Sequence, residues 1–459
     1  MSSEALVSPI DCPDSWQVVS LKSISRKIGS GATPTGGQAA YQQTRSNFAL
    51  VRSQNVFDRE FSDGGLAFIS DEQAKALKGV WLERSDILLN ITGDGITFGR
   101  ACMVPPRVLP ACVNQHVAII RLDSGVACPG YVVSYLTHPV IKSYIESFNA
   151  GGSRRAITKA HIESFVIPLP PIATQVAISG LLAAFDDRIT LLRETNATLE
   201  AIAQALFKSW FVEFDPVRAK MAGRAPEGID EATAALFPDA LEETELGLVP
   251  KGWKYQSISD VVEGVYDGPH ATPPEADSGG VFLGIKNLTG TALDLSEIRY
   301  IGDAEWVKWT KRVEPRAGDI VFSYEATLGF FALIPPDLRC CLGRRLALIR
   351  PLDKDGAGHF WFHQFVAQPF QALLAKHTIQ GATVNRIALK EFPSYPVLVP
   401  PLPLRLAFHD LASGLWSKIQ ANQAQAQSLV ALRDTLLPRL ISGQLRLPEV
   451  QAQLEDALA

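Results

Sequence analysis

His359 and His363 stand one helical turn apart, a spacing that puts two imidazoles on one helix face and suits a zinc ion. Phe360, Trp361 and Phe362 fill the interval, no Glu follows the first His, and no third ligand is near, so packed or surface histidines are expected and no metal ligand is assigned. The vicinal Cys340-Cys341 has only Arg339 beside it to lower a thiol pKa, which predicts inert small residues rather than redox chemistry. Gly93-Asp94-Gly95-Ile96-Thr97-Phe98-Gly99 superficially resembles a nucleotide-binding loop, but its spacing departs from G-x-G-x-x-G and reads as a turn between strands. There is no G-x-x-x-x-G-K-[ST] motif, which removes a P-loop ATPase. No Asn-Pro-Pro-aromatic string occurs, as an amino-methylating DNA enzyme would carry, and no Glu-x-Lys of the usual metal-dependent nucleases. Nor does any Ser sit in a nucleophile elbow. No catalytic residue and no cofactor site is assigned to this chain.

The 459 residues are 47 % apolar and 20 % charged with a net charge of −5, enough for two or three hydrophobic cores. No stretch approaches ~18 uninterrupted apolar residues, so no membrane span is expected. Met1 to Pro9 carries Glu4 and lacks a basic flank before an apolar run, so no signal peptide is expected. Six scattered cysteines without a Cys-x-x-Cys pair do not make a disulfide scaffold. These features predict a cytoplasmic protein. The charge is unevenly spread. Residues 16–172 hold 16 Lys and Arg against 11 Asp and Glu, whereas residues 251–401 hold 16 of each. The acidic excess therefore lies in the segments between and after them, and the first globule is basic, which permits a polyanionic partner.

The elements that must position any site come in two copies. Pro13-Asp14-Ser15-Trp16 is answered by Pro250-Lys251-Gly252-Trp253, Ser85-Asp86-Ile87 by Gly318-Asp319-Ile320, and Leu169-Pro170-Pro171 by Val399-Pro400-Pro401. His116-Val117-Ala118-Ile119-Ile120-Arg121 is likewise answered by Arg345-Leu346-Ala347-Leu348-Ile349-Arg350. Matches in order at one spacing of about 230 residues mean a tandem duplication. Each copy opens with β-like runs, Gly/Pro turns and a helix-like stretch (Tyr131–Phe148, Phe360–Lys376), a mixed α/β or α+β globule. Each ends in a proline clamp and a long helix with a heptad seam. In the first helix this seam holds Ile178, Leu182, Phe185, Ile189, Leu192, Leu199, Ala203 and Leu206. In the second it holds Phe408, Ala412, Leu415, Ile419, Ala426, Leu429 and Leu436. One asparagine, Asn196 or Asn422, interrupts each seam. The expected division is 1–168, a first globule; 169–212, a long helix; 213–250, an acidic strap with one short helix near Glu231–Leu236; 251–399, a second globule; 400–447, a second long helix; and 448–459, a tail.

Five strings carry a resemblance. Ile167-Pro168-Leu169-Pro170-Pro171-Ile172-Ala173-Thr174-Gln175, Phe185-Asp186-Asp187-Arg188-Ile189 and Leu206-Phe207-Lys208-Ser209-Trp210-Phe211-Val212-Glu213-Phe214-Asp215-Pro216 resemble the central conserved region of type I restriction–modification specificity (S) subunits. Leu436-Leu437-Pro438-Arg439-Leu440-Ile441-Ser442-Gly443-Gln444-Leu445 resembles the distal conserved region, and Gly152-Ser153-Arg154-Arg155-Ala156-Ile157-Thr158 also fits the family. Arg405 stands where the first clamp has Gln175, so capping differs there. The resemblance implies two tandem target recognition domains, each contacting half of a split, asymmetric site on double-stranded DNA, and two long antiparallel helices as a coiled-coil-like spacer. It also implies docking of two modification (M) subunits that use S-adenosylmethionine, and of restriction (R) subunits that use ATP and Mg. A self-sufficient DNA methyltransferase and a duplicated protein-binding scaffold are the alternatives.

Arg can pair with guanine edges and Asn or Gln with adenine, while many basic residues merely hold phosphate. On that chemistry the candidate DNA contacts are Arg45, Arg52, Gln54, Asn55, Arg154 and Arg155 in the first globule. In the second they are Lys286, Asn287, Arg344, Arg345 and Arg386. Asn196 and Asn422 leave two readings open: they face each other, the cheapest partner for a buried amide being another amide, and so fix the helix register, or each reaches solvent or the M subunits independently.

Overall fold

The computed structural model describes residues 6–149, 155–352, 358–381 and 384–446. Contacts divide the chain into two compact units, one ending at Arg193 and resuming at Gln423, the other running Glu194–Asn422. The division passes through both long helices, so each unit holds one globule and a stretch of each helix.

In the first unit a four-stranded antiparallel sheet has the order Ser25–Ser30, Val117–Leu122, Ile87–Asn90, Ala101–Met103. A three-stranded sheet has the order Ala67–Ile69, Phe48–Val51, Ala111–Val113, the last pair parallel. A ladder of Gln17–Ser20 with Val166–Leu169 closes the globule start to end. The second unit repeats this order. Its larger sheet runs Val262–Asp267, Leu346–Pro351, Ile320–Ser323, Phe331–Leu333; its smaller runs Arg299–Ile301, Gly280–Leu283, Cys340–Leu342; and Lys254–Ser257 pairs with Pro396–Val399.

The central strands read as continuous apolar runs because both faces are covered. Side chains alternate between two cores with a period of two. Ile87, Leu89, Ala118 and Ile120 face the helices, while Leu88, Val117 and Ile119 face the smaller sheet. The second unit sorts Ile320, Phe322, Ala347 and Ile349 from Val321, Leu346 and Leu348 in the same way.

Each expected helix-like stretch is two helices, Pro129–Leu136 with Pro139–Ser147, and Gly358–Val366 with Gln368–Lys376. Pro139 and Pro369 make the break: proline lacks the N–H an interior turn needs, and His138 and Ala367 are extended before the new helices.

The long helices span Ile172–Phe211 and Leu402–Ile441, 40 residues each, roughly 60 Å at helical rise. In the first unit Ile178, Leu182 and Phe185 share a core with Leu436, Leu437, Leu440 and Ile441, so the start of one helix meets the end of the other. In the second unit Phe207, Trp210 and Phe211 share one with Leu404, Phe408 and Ala412. Both stretches are antiparallel. Trp416, not Leu415, is the buried seam residue, a one-position drift that follows from 3.6 residues per turn against a heptad's 3.5.

The strap is more ordered than its composition suggests. It holds helices Asp215–Met221 and Glu231–Ala235 and a hairpin of Leu241–Thr244 with Gly247–Pro250. Phe214, Val217, Phe237 and Val249 anchor it in the second unit's core, and Glu227, Asp230, Glu231, Asp239, Glu242, Glu243 and Glu245 stay exposed. Among the described residues no helix is long and apolar enough to cross a membrane.

Candidate nucleic-acid interface

Each large sheet is pinned at one end by a buried ion pair. Asp86 accepts from Arg121 Nε at 2.7 Å and Nη2 at 2.8 Å, and from the Glu83 N–H at 2.8 Å. Asp319 repeats this with Arg350 at 2.8 and 2.6 Å and with the Arg316 N–H at 2.9 Å. Ser85 and Gly318 precede the two aspartates with φ of +67° and +84°, so the bend is also duplicated. The paired carboxylates are fully desolvated, and a bidentate guanidinium answers both oxygens.

At the opposite end of each sheet the connecting turns converge into a ring. In the first unit Gly31 donates to Val117 O, Asn114 to Val51 O and Ile91 to His116 O, and Arg155 pairs with Gly93. These bonds bring residues 31–33, 52–55, 91–98, 114–116 and 155–156 together. On the ring Thr33 Oγ1 donates to Gln115 Oε1, Thr92 Oγ1 lies 2.6 Å from His116 Nδ1, and Gln115 Nε2 lies 3.0 Å from His116 Nε2. Asp94 shapes the 93–98 turn by accepting from Thr97 and Ile96, bonds that hold its carboxyl below the usual carboxylate range. That turn lifts Ile96 out to 73 % exposure.

In the second unit Gly268 donates to Leu346 O, Gly343 to Leu283 O, Tyr324 to Arg345 O and Ala326 to Asn385 O. The Tyr324 hydroxyl donates to Arg344 O at 2.8 Å and lies 3.4 Å from His270 Nε2. Asp267 binds His270 at 3.1 Å and also Arg312. Burial pushes the Tyr324 phenol above its ordinary value, so it stays a donor.

This ring gathers Arg344, Arg345 and Arg386, whose guanidinium groups have no ion-pair partner among the described residues; Arg344 and Arg386 are exposed. Lys286 is exposed on the adjoining turn with Glu297 at 3.3 Å. In the first unit Arg52 and Gln54 both donate to Gly65 O, and Arg155 is paired with Glu146 at 2.5 Å. Arg154 lies outside the described residues.

The structure corrects three expectations of base contact. Asn55 is fully buried: its Oδ1 accepts from the Arg52 N–H at 3.0 Å, and its Nδ2 donates to Ser62 O and Gly64 O. Asn287 is its duplicate, accepting from Gly284 N–H and donating to Asp294 O and Glu297 O, each at 3.0 Å. Both amides are used up in shaping a turn, so no donor remains for a base. Arg45 donates to the carbonyls of Asn47, Arg107, Val108 and Leu109, at the far end of strand Ala111–Val113 from the ring. Conversely, Thr33, Thr92, Gln115 and His116 in one ring and His270, Arg312 and Asn385 in the other were not singled out. The signal for Gln115 and His116 lay in the duplication, which sets His116 opposite Arg345.

Elsewhere the chemistry is spent on packing. His363 is buried and accepts from Trp416 Nε1 at 3.1 Å, and burial pushes it down to about 3. His359, down to about 4, lies against His409 at 5.1 Å between ring centres, beside a cavity of about 530 Å3 that Trp416 also lines. Among the described residues no three His, Cys, Asp or Glu side chains could share a metal ion. Burial pushes the Cys340 and Cys341 thiols up to about 12, which leaves them protonated and unreactive. In the helix pair, Asn422 Nδ2 donates to Asn196 Oδ1 at 2.8 Å, and Asn196 Nδ2 donates to Ile419 O at 3.3 Å.

Residues 13–201 match the family described as the type I restriction modification DNA specificity domain. The chain is 23 % identical to the specificity subunit of the type I restriction enzyme HindI from Haemophilus influenzae, over 94 % of this chain and 99 % of that protein. It is 24 % identical to the type I restriction enzyme MjaIX specificity subunit of Methanocaldococcus jannaschii, over 95 % of each. The crystal structure of a type I restriction-modification S subunit from M. genitalium shares the fold, with a TM-score of 0.54 at 12 % identity, covering 95 % of this chain and 99 % of that one. Over nearly its whole length, then, the chain is similar to type I restriction enzyme specificity subunits, and residues 13–201 match the model of their DNA specificity domain.

Proposed function

We propose that this chain is the non-catalytic, cytoplasmic specificity subunit of a type I restriction–modification complex, reading one half of a bipartite, asymmetric DNA target with each turn ring. The observation that carries this reading is a duplicated frame with diverged tips. The Asp–Arg pins, the bends before them and the asparagine-stapled turns are the same in both units. The ring side chains differ: Gln115-His116 in one, Arg344-Arg345 in the other. Equal frames with unequal donor and acceptor sets would read unequal base edges. The long helices would dock two M subunits, with R subunits joining that core. S-adenosylmethionine, ATP and Mg would be held by those partners, and none by this chain.

The test is to co-express the chain with its cognate M subunit and map methylated adenines genome-wide. The expected result is one split, asymmetric motif, absent when either subunit is omitted. Methylation by this chain alone would make it a methyltransferase instead, and a complex that fails to retard any genomic fragment would make it a scaffold.

A further inference from the structure

Between strands Phe48–Val51 and Ala67–Ile69 the chain makes an excursion with two ends. Its front end is the ring turn with Arg52 and Gln54. Its back end is a tight hairpin tip, residues 57–60, closed by the Val56–Phe61 bridge and a bond from the Phe57 N–H to Glu60 O. Asn55 staples the two ends together through Ser62 and Gly64. Every charged residue of the tip is engaged away from the ring. Asp58 pairs with Lys142, and Glu60 with Arg193 on the first long helix at 2.8 Å. Arg59, at φ +63°, donates through Nε and Nη2 to Asp186 Oδ2 at 2.9 and 2.6 Å, and through Nη1 to Ser134 Oγ at 2.6 Å. The other oxygen of Asp186 accepts from Arg433 of the second long helix at 2.7 Å. One carboxylate on the first helix thus holds an arginine from the globule and an arginine from the second helix. The Arg59 side chain is 9 % exposed and the Arg433 side chain 17 %, so solvent screens this cluster far less than an open surface pair.

We propose that Arg59, through Asp186 and Arg433, is a positioning residue that sets the angle of the first recognition globule on the helix pair, and thereby how strictly the complex measures the gap between half-sites. This rests on the bipartite reading above. Arg59 touches no base in this scheme. It acts through the Asn55-stapled excursion, which carries Arg52 and Gln54 at its other end. The second unit bends at the same place with Gly290 (φ +71°), and there the Thr291 hydroxyl donates to Glu200 of the first long helix; among the described residues no arginine makes an ion pair at this bend. The ionic clamp therefore belongs to the first reader.

The test uses the complex of the full chain with its M subunit and a library of targets with correct half-sites and gaps lengthened or shortened by one or two base pairs. Wild type is expected to methylate one gap length. Asp186→Asn and Arg59→Ala are expected to lose about tenfold of the discrimination against neighbouring gaps, with base preference in both half-sites unchanged. Arg59→Lys keeps charge and stem but not the bidentate fork, and should fall between; it also serves if the alanine variant does not fold. A merely structural role would lower the rate at every gap equally. Unchanged gap discrimination in folded Asp186→Asn or Arg59→Lys, or a rate loss uniform across gaps, overturns the clamp while leaving the bipartite reading intact. A wild-type complex with no bipartite target overturns the reading and the clamp with it.

Discussion

Arg344 and Arg345 have no carboxylate partner among the described residues, so their hydrogen-bonding capacity is open to a ligand. A guanidinium that reads a guanine edge contributes ~1–3 kcal/mol of discrimination, whereas one that touches phosphate weakens all sequences alike. Replacing both with alanine in the complex is expected to relax the base preference of one half-site and spare the other, as read by methylation of randomised targets. Asn55 and Asn287 make the opposite prediction. Each makes three hydrogen bonds inside the protein, and losing them to alanine leaves buried backbone groups unpaired at ~1–3 kcal/mol. Asn55→Ala should therefore lower the denaturation midpoint and leave the motif alone; a changed motif in a protein of unchanged stability would mean the amide reaches DNA after all. His363 adds a pH dependence. Folded, it is held down to about 3 by burial; unfolded, it titrates near ~6.5. Below ~6.5 the unfolded chain takes up a proton that the folded chain refuses, so stability is lost as pH falls from ~6.5 toward 3. The loss at pH 5 is on the order of 2 kcal/mol. Thermal unfolding followed by tryptophan fluorescence should show it, and His363→Gln, which keeps an acceptor for Trp416, should shrink it. An undiminished acid loss in that variant would assign the effect elsewhere, His359 being the next candidate.

At the scale of elements, the asparagine pair shows what a seam position can hold. Asn422 is 2 % exposed, and its amide nitrogen is satisfied by Asn196. A single Asn196→Leu change leaves the buried Asn422 amide without its partner, a penalty of ~1–3 kcal/mol. The double leucine variant removes both polar groups and should recover most of that loss in urea unfolding, a pattern that non-additivity in a double-mutant cycle would register. Additive losses would mean the two amides act independently. The pair could be located from the sequence because heptad spacing confines a residue to one face, and an amide on that face has few partners. The duplication and both long helices were legible for the same reason: periodic apolar spacing survives translation into structure. Three things were not. Proline split each expected helix, an effect that apolar spacing alone hides. Polar residues in turns read as free to contact a ligand, although Asn55 and Asn287 close backbone hydrogen bonds inside the fold, which depends on where Ser62 and Asp294 come round. And the ring itself joins five separate turns, whose convergence follows from strand order that no local pattern encodes.

For the whole molecule, the decisive question is whether a reader can be moved as a module. Its ends make this feasible. Strands Gln17–Ser20 and Val166–Leu169 pair in register, Gln17 against Leu169, so the globule enters and leaves its unit at one place. Exchanging residues 16–168 for those of another specificity subunit therefore cuts the chain at adjacent points and leaves both long helices intact. The graft must satisfy two surfaces: the core that Tyr131 and Tyr135 share with Ile178, Leu182 and Phe185, and the Asp186 carboxylate awaiting Arg59. A donor that supplies an arginine at the equivalent bend should fold and assemble. One that does not is expected to assemble with blurred gap discrimination. In both cases the methylation motif should change in one half-site and keep the other, because the second ring, with Arg344, Arg345 and Arg386, is built entirely from residues outside the graft. A motif that changed in both halves, or in neither, would mean that recognition is shared across the chain rather than divided between its two copies.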